Sequence, residues 1–188
     1  DTSKWRIILA TVAVASGAMT LLSTVTASAS ATVDVETTFS STYDSYLLVV
    51  SGVTCSVDGA NMRLQMKLSG AYVTTSTYTF HGTQISSAAD TYLGVVATSA
   101  APAASIRIGT TELAAAKSFD LSLMVFNPAS TAFSKIIKWE FLAKRVEVIG
   151  GFGVGANSGT GALTGLRFFA DSGNIDAGTF RLYGITNS

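Results

Sequence analysis

Catalysis needs side chains that hold a proton, attack an electrophile or grip a metal, and such groups are few in this chain. His81 is the single histidine and Cys55 the single cysteine. A metal centre draws on several nitrogen, sulfur or carboxylate ligands at workable spacing, and one histidine with one distant cysteine does not supply them. A hydrolytic nucleophile needs a base beside it; serines abound, yet only His81 could serve, and no nucleophile-elbow motif surrounds any of them. His81 therefore reads as a loop residue. Cys55, which has no partner for an intrachain disulfide, reads as a small buried apolar residue.

Carboxylates and glycines give a similar answer. A pair of carboxylates could cleave a glycosidic bond, but Asp34 and Glu36 fall on the wet face of an alternating strand and Asp171 and Asp176 in a turn. Asp171, Asn174 and Asp176 could offer oxygens to calcium; an Asx-rich turn accounts for the same residues. The glycines at 150, 151, 153 and 155 superficially suggest a phosphate cradle. Such a cradle needs a helix after it, whereas a β-type run, 163–170, follows and no Lys-Ser/Thr pair closes the loop. A structural loop or close-packed glycines is the expectation. Lys135, Lys138, Lys144 and Arg145 form a basic strip interleaved with Glu140 and Glu147, a solvated face or a seam of ion pairs. No catalytic residue, cofactor or metal is expected, and the chain is read as a non-enzyme.

The elements around these residues are β throughout. Met62, Leu64, Met66 and Leu68 alternate without error with Asn61, Arg63, Gln65 and Lys67. A helix would scatter the four apolar side chains, while a strand gathers them on one face. Val33 and Val35 alternate with Asp34 and Glu36 in the same way. The segment 46–53 is nearly continuously apolar, as in mid-sheet. Further strands are expected at 21–27, 71–80, 91–98, 105–108 and 119–126. Another at 132–142 places Phe133, Lys135, Ile137, Trp139 and Phe141 on one face, with Trp139 as core anchor. A loop is expected to start at His81-Gly82, and 110–117 is either loop or a single helical turn. The closing stretch, 161–188, holds two apolar runs around the polar connector 171–178, which predicts a long-looped hairpin closing a sheet.

Short strands spaced by turn signals at intervals of about eight to twelve residues mark a sandwich or barrel. The expected fold is all-β: one antiparallel β-sandwich domain, jelly-roll-like, over 21–188, preceded by an N-terminal arm over 1–20. That arm has the basic, apolar, small-residue layout of a secretory signal but is interrupted by Thr11 and Thr20, too short for a convincing membrane span. Strands or an extended arm around Gly17, a helix, or an uncleaved signal are its readings. The apolar residues Trp5, Ile7, Ile8, Leu9, Val12 and Val14 would make it an assembly arm.

Charged residues are 13% of the chain, well under the roughly 25% usual for soluble domains. Such a surface, rich in small hydroxyl residues, suits a protein packed against copies of itself or a partner. Twelve acidic and twelve basic residues cancel, so neither electrostatic capture of nucleic acid nor self-repulsion is expected. No membrane partner is expected either.

Three stretches together carry a resemblance: the Thr/Ser/Ala-rich 22–35, the Ser-Thr-Tyr-Asp-Ser-Tyr loop and strand within 39–53, and Ser172-Gly173-Asn174-Ile175 with Gly178-Thr179-Phe180-Arg181-Leu182-Tyr183-Gly184 within 165–185. In these the chain resembles a group of tailed-bacteriophage virion proteins with β-sandwich folds, described as capsid decoration, head-fibre or tail-fibre proteins. The resemblance implies a capsid decoration or cement protein on the virion surface, stabilising the head by subunit contacts. Its implied partners are the major capsid protein and copies of itself, as a homotrimer. The 1–20 arm would pair with a neighbour's exposed sheet edge. An alternative of another class is a tail-fibre or spike module whose Tyr43, Tyr72 or Tyr92 stacks on a host surface glycan. A weaker alternative is a secreted lectin or adhesin, reached through the signal-like N-terminus.

Overall fold

A computed structural model describes residues 18–36, 39–86, 102–109, 118–144 and 148–186, and the backbone of 91–98. Its strands are β1 (Met19–Ser30), β2 (Val33–Glu36), β3 (Ser45–Cys55), β4 (Met62–Leu68), β5 (Ala71–Tyr72), β6 (Tyr78–Ser86), β7 (Thr91–Thr98), β8 (Ile106–Gly109), β9 (Ser118–Phe126), β10 (Lys135–Lys144), β11 (Val148–Asn157), β12 (Leu163–Ala170) and β13 (Ile175–Ile185). No helix occurs among the described residues. Trp5, Ile7, Ile8, Leu9, Val12 and Val14 of the expected arm lie outside them, as do 110–117 and Arg145; Met19 and Thr20 open β1.

The strands form two antiparallel sheets packed as a sandwich. The large sheet runs β1-β13-β3-β9-β10-β11-β6-β7, and the small one β2-β12-β4-β5, with β8 also pairing β4. The chain changes sheet repeatedly, at β1–β2–β3–β4 and again at β11–β12–β13, while β9, β10 and β11 form an uninterrupted meander.

The core follows from period-two patterning. Met62, Leu64 and Met66 of β4 are at most 1% exposed, and they share one buried cluster with Tyr46 and Leu48 of β3, Leu121 and Leu123 of β9 and Trp139 of β10. Burying each such side chain stabilises the fold by about 1.5–3 kcal/mol, so a one-residue slip of β4 forfeits its whole inner face. Phe119 and Phe141 stack at 5.6 Å between centroids. Cys55 is buried, as expected, and desolvation pushes its thiol up to about 11.

Three local expectations are corrected. The closing runs are consecutive strands, but β12 pairs with β2 and β4 while β13 pairs with β1 and β3, so they belong to opposite layers. The connector is a corner between sheets, and Phe168 meets Phe180 across the sandwich at 5.3 Å. Apolar alternation is the same for a hairpin and a corner, so the pattern could not separate them. The expected strand 71–80 is broken after Tyr72, where the chain leaves the small sheet for the large one. Buried Tyr78 anchors the change: its hydroxyl donates to Val73 O at 3.0 Å and accepts from Met66 N at 2.8 Å. His81 lies inside β6, opposite Val154 of β11, and not at a loop. Of the two readings of the glycines at 150–155, loop or close-packed, the second holds: they lie in β11, tight against neighbouring strands.

Candidate binding face

β10 and β11 share one register, with Trp139 opposite Gly153 and Phe141 opposite Gly151. The inner face of β11 is built from glycines because the two rings of β10 fold over it. A β-carbon on Gly153 would lie 2.3 Å from the Trp139 indole, and one on Gly151 would lie 2.5 Å from the Phe141 ring. Trp139 is fixed in that pose by donating Nε1–H to Ile108 O at 2.8 Å. With the glycines turned inward, strict alternation sends the large apolar side chains of β11 outward.

The result is an apolar patch on the outer face of the large sheet. Phe152 is 59% exposed, Val154 54% and Val148 54%; neighbouring β10 adds Ile136 at 55% and Leu142 at 62%, and β6 adds Ile85 at 57%. Glu140 stands beside Phe152 and Lys138 beside Val154 in the register, while Thr83 and His81 flank them on the other side. Shallow depressions surround Phe152 and Val154 and reach to Leu47 and Met124. Single exposed apolar side chains are normal on a protein surface; a contiguous set on three adjacent strands marks a contact surface. Sequence reasoning weighed the glycines as a structural loop or as close-packed, and did not carry the second reading on to the residues between them. The readable signal was the order Gly151-Phe152-Gly153-Val154-Gly155, in which a buried glycine parity forces the opposite parity into solvent.

The residues weighed for chemistry are scattered or already engaged. Asp34 accepts from Arg167 Nε and Nη2 at 2.8 and 2.7 Å. Those bonds hold its carboxyl below the ordinary range. Glu36 accepts from Lys67 Nζ and the Tyr72 hydroxyl, both at 2.8 Å, and is lowered likewise, Lys67 acting most. A glycosidase acid needs a raised pKa, and neither carboxylate of this pair has one. Asp171 accepts from the backbone and side-chain nitrogens of Asn61, both at 2.7 Å. Asn174 donates its backbone N–H to Ser56 Oγ at 2.8 Å. Among the described residues no group of three or more His, Cys, Asp or Glu side chains is placed to hold a metal ion.

The basic strip divides. Lys138 and Lys144 point outward, but Lys135 is 1% exposed and turned inward. Its ammonium donates to Ser130 O and to Phe133 O, and burial lowers its pKa. Phe133, expected on the inner face, precedes β10 and is exposed. The Tyr43 ring is half-buried against Tyr46 and lies over Gly184. Tyr72 carries the Arg167 guanidinium 3.8 Å from its ring centroid. The Tyr92 side chain lies outside the described residues.

No family model and no curated protein matches the chain. A solved structure with some likeness is a crystal structure of exo-inulinase from Aspergillus awamori, 10% identical, with a TM-score of 0.37. The likeness covers 90% of this chain and 29% of that one. At that score it carries no argument about fold or activity.

Proposed function

We propose that the chain is a structural protein of a tailed-bacteriophage virion, a non-enzymatic capsid decoration or cement protein that works by burying surface against neighbouring subunits. The phage context rests on the resemblance of the three motif stretches. The observation that carries the contact role is the apolar outer face of β6, β10 and β11, centred on Phe152. Its occupant is another copy of the chain. Lys138 and Glu140 stand on the same outward face of β10, ~7 Å apart along the strand. A two-fold axis between them sets each lysine against the partner copy's glutamate, the self-complementarity an isologous contact requires. With no net charge, copies do not repel at long range. Contacts of this kind can join the trimers that the resemblance implies.

The test is the place and copy number of the chain in purified particles, by imaging and quantitative mass spectrometry. Many copies spread over the head support the proposal. A few copies confined to the tail would favour the receptor-binding alternative, and absence from particles would overturn the virion reading.

A further inference from the structure

The outer face of the small sheet carries a second feature, independent of the apolar patch. Arg63 of β4 and Arg107 of β8 are direct cross-strand partners. Their neighbours in sequence, Met62, Leu64, Ile106 and Ile108, are all buried in the core, so both guanidinium groups lie on the outward side of the sheet. Like charges directly opposite one another destabilise a strand pair. Elsewhere on this face the cations are answered: Arg167 by Asp34 and Lys67 by Glu36.

Among the described residues the arginine pair has only Asp171, whose Oδ2 stands 3.6 Å from Arg63 Nη2 and is already bound by Asn61. The Arg107 side chain makes no hydrogen bond or ion pair among the described residues, and its Nε is buried without a partner. A half-buried guanidinium with no anion of its own costs more than one paired with an oxyanion. Burial and the facing Arg63 charge both disfavour the charged form of Arg107, the Asp171 carboxylate offsets them only in part, and an arriving anion would relieve the rest.

We propose that Arg63 and Arg107 form a receptor for a single oxyanion, a carboxylate or a phosphate, gripped by the outward nitrogens of the two guanidinium groups. The planar fork matches two oxygens of either group side by side. The ligand neutralises a like-charge pair at the junction of β4 and β8, so binding also locks β8 to the sheet.

The experiment is thermal unfolding of the full chain at constant ionic strength, with chloride replaced stepwise by inorganic phosphate in one series and by acetate in another. A saturable rise in Tm in either series is expected, and the series with the larger rise identifies the oxyanion. The rise should vanish in Arg107→Gln and shrink strongly in Arg107→Lys, which keeps the charge and loses the fork. In the wild-type chain the Arg107 Nε–H resonance should shift over the same concentration range, a readout that does not depend on either variant folding. A flat Tm in both series, an Nε–H resonance that does not move, or an undiminished rise in Arg107→Lys would overturn the proposal.

Discussion

The Trp139 indole and Gly153 occupy one position in the sandwich: a β-carbon at Gly153 would sit 2.3 Å from the ring and 2.8 Å from the carbonyl oxygen of His81. Neither neighbour can yield easily, because the indole is held by Ile108 O and the carbonyl belongs to the adjacent strand. Gly153→Ala is expected to cost about 2–3 kcal/mol, the scale of overpacking in a filled core. Gly150→Ala is the control, since its β-carbon meets nothing closer than Leu142 Cδ2 at 3.4 Å. Urea unfolding of both variants checks this; equal midpoints would mean that the ring is not seated on the glycine.

Charge exchange tests the self-complementary face. Lys138→Glu and Glu140→Lys, each alone, set like charges against each other across a two-fold contact and should weaken self-association. The double exchange restores opposite charges and should recover it. Sedimentation of the three variants reads the outcome. Phe152→Lys should abolish association with the fold intact by circular dichroism, since its side chain is 59% exposed.

Acid should destabilise the small sheet's outer face. Asp34 and Glu36 are held below the ordinary carboxylate range by Arg167 and Lys67. Asp171, although desolvation opposes it, is lowered overall by Asn61 and Arg63. A carboxylate with a depressed folded-state pKa contributes stability that is complete above its unfolded value near pH 4. That contribution is lost as pH falls through the folded value. Tm should therefore be level above about pH 5 and fall below it. Asp34→Asn should lower the neutral plateau and flatten the acid limb; an acid limb as steep as wild type would show that the Arg167 pair does not contribute.

Lys135 is a buried cation whose role is to hold a loop. Its ammonium bonds Ser130 O and Phe133 O in the segment between β9 and β10. Lys135→Met keeps most of the apolar stem and removes both bonds, and is expected to cost about 1–3 kcal/mol. Amide hydrogen exchange should rise first across residues 128–134; a more stable variant with unchanged exchange would show that the buried charge was the greater penalty.

How far the fold was legible depended on whether local pattern or a distant partner decided it. β4 and the anchor Trp139 were readable because period-two alternation alone places their side chains. The corner between β12 and β13 was not, because both layers bury the same alternation and only the partner strands differ. Glycine is a poor strand former by itself, so the strand character of β11 comes from the rings of β10, which no window around residue 153 contains. His81 was misplaced for the same reason: His-Gly is turn-like locally, but β11 supplies a partner. Of the contact face, Phe152 and Val154 were in view throughout; what hid them was the missing parity of their neighbours.

In the large sheet β1 pairs with β13, drawn from opposite ends of the described chain, with Met19 beside Ile185. While the polypeptide is emerging from the ribosome, β1 therefore waits until β13 has been made. Closure of the sheet is a pairing of high contact order, slow by nature. During that interval β1 has few large apolar side chains to expose, its sequence being mostly threonine, serine and alanine.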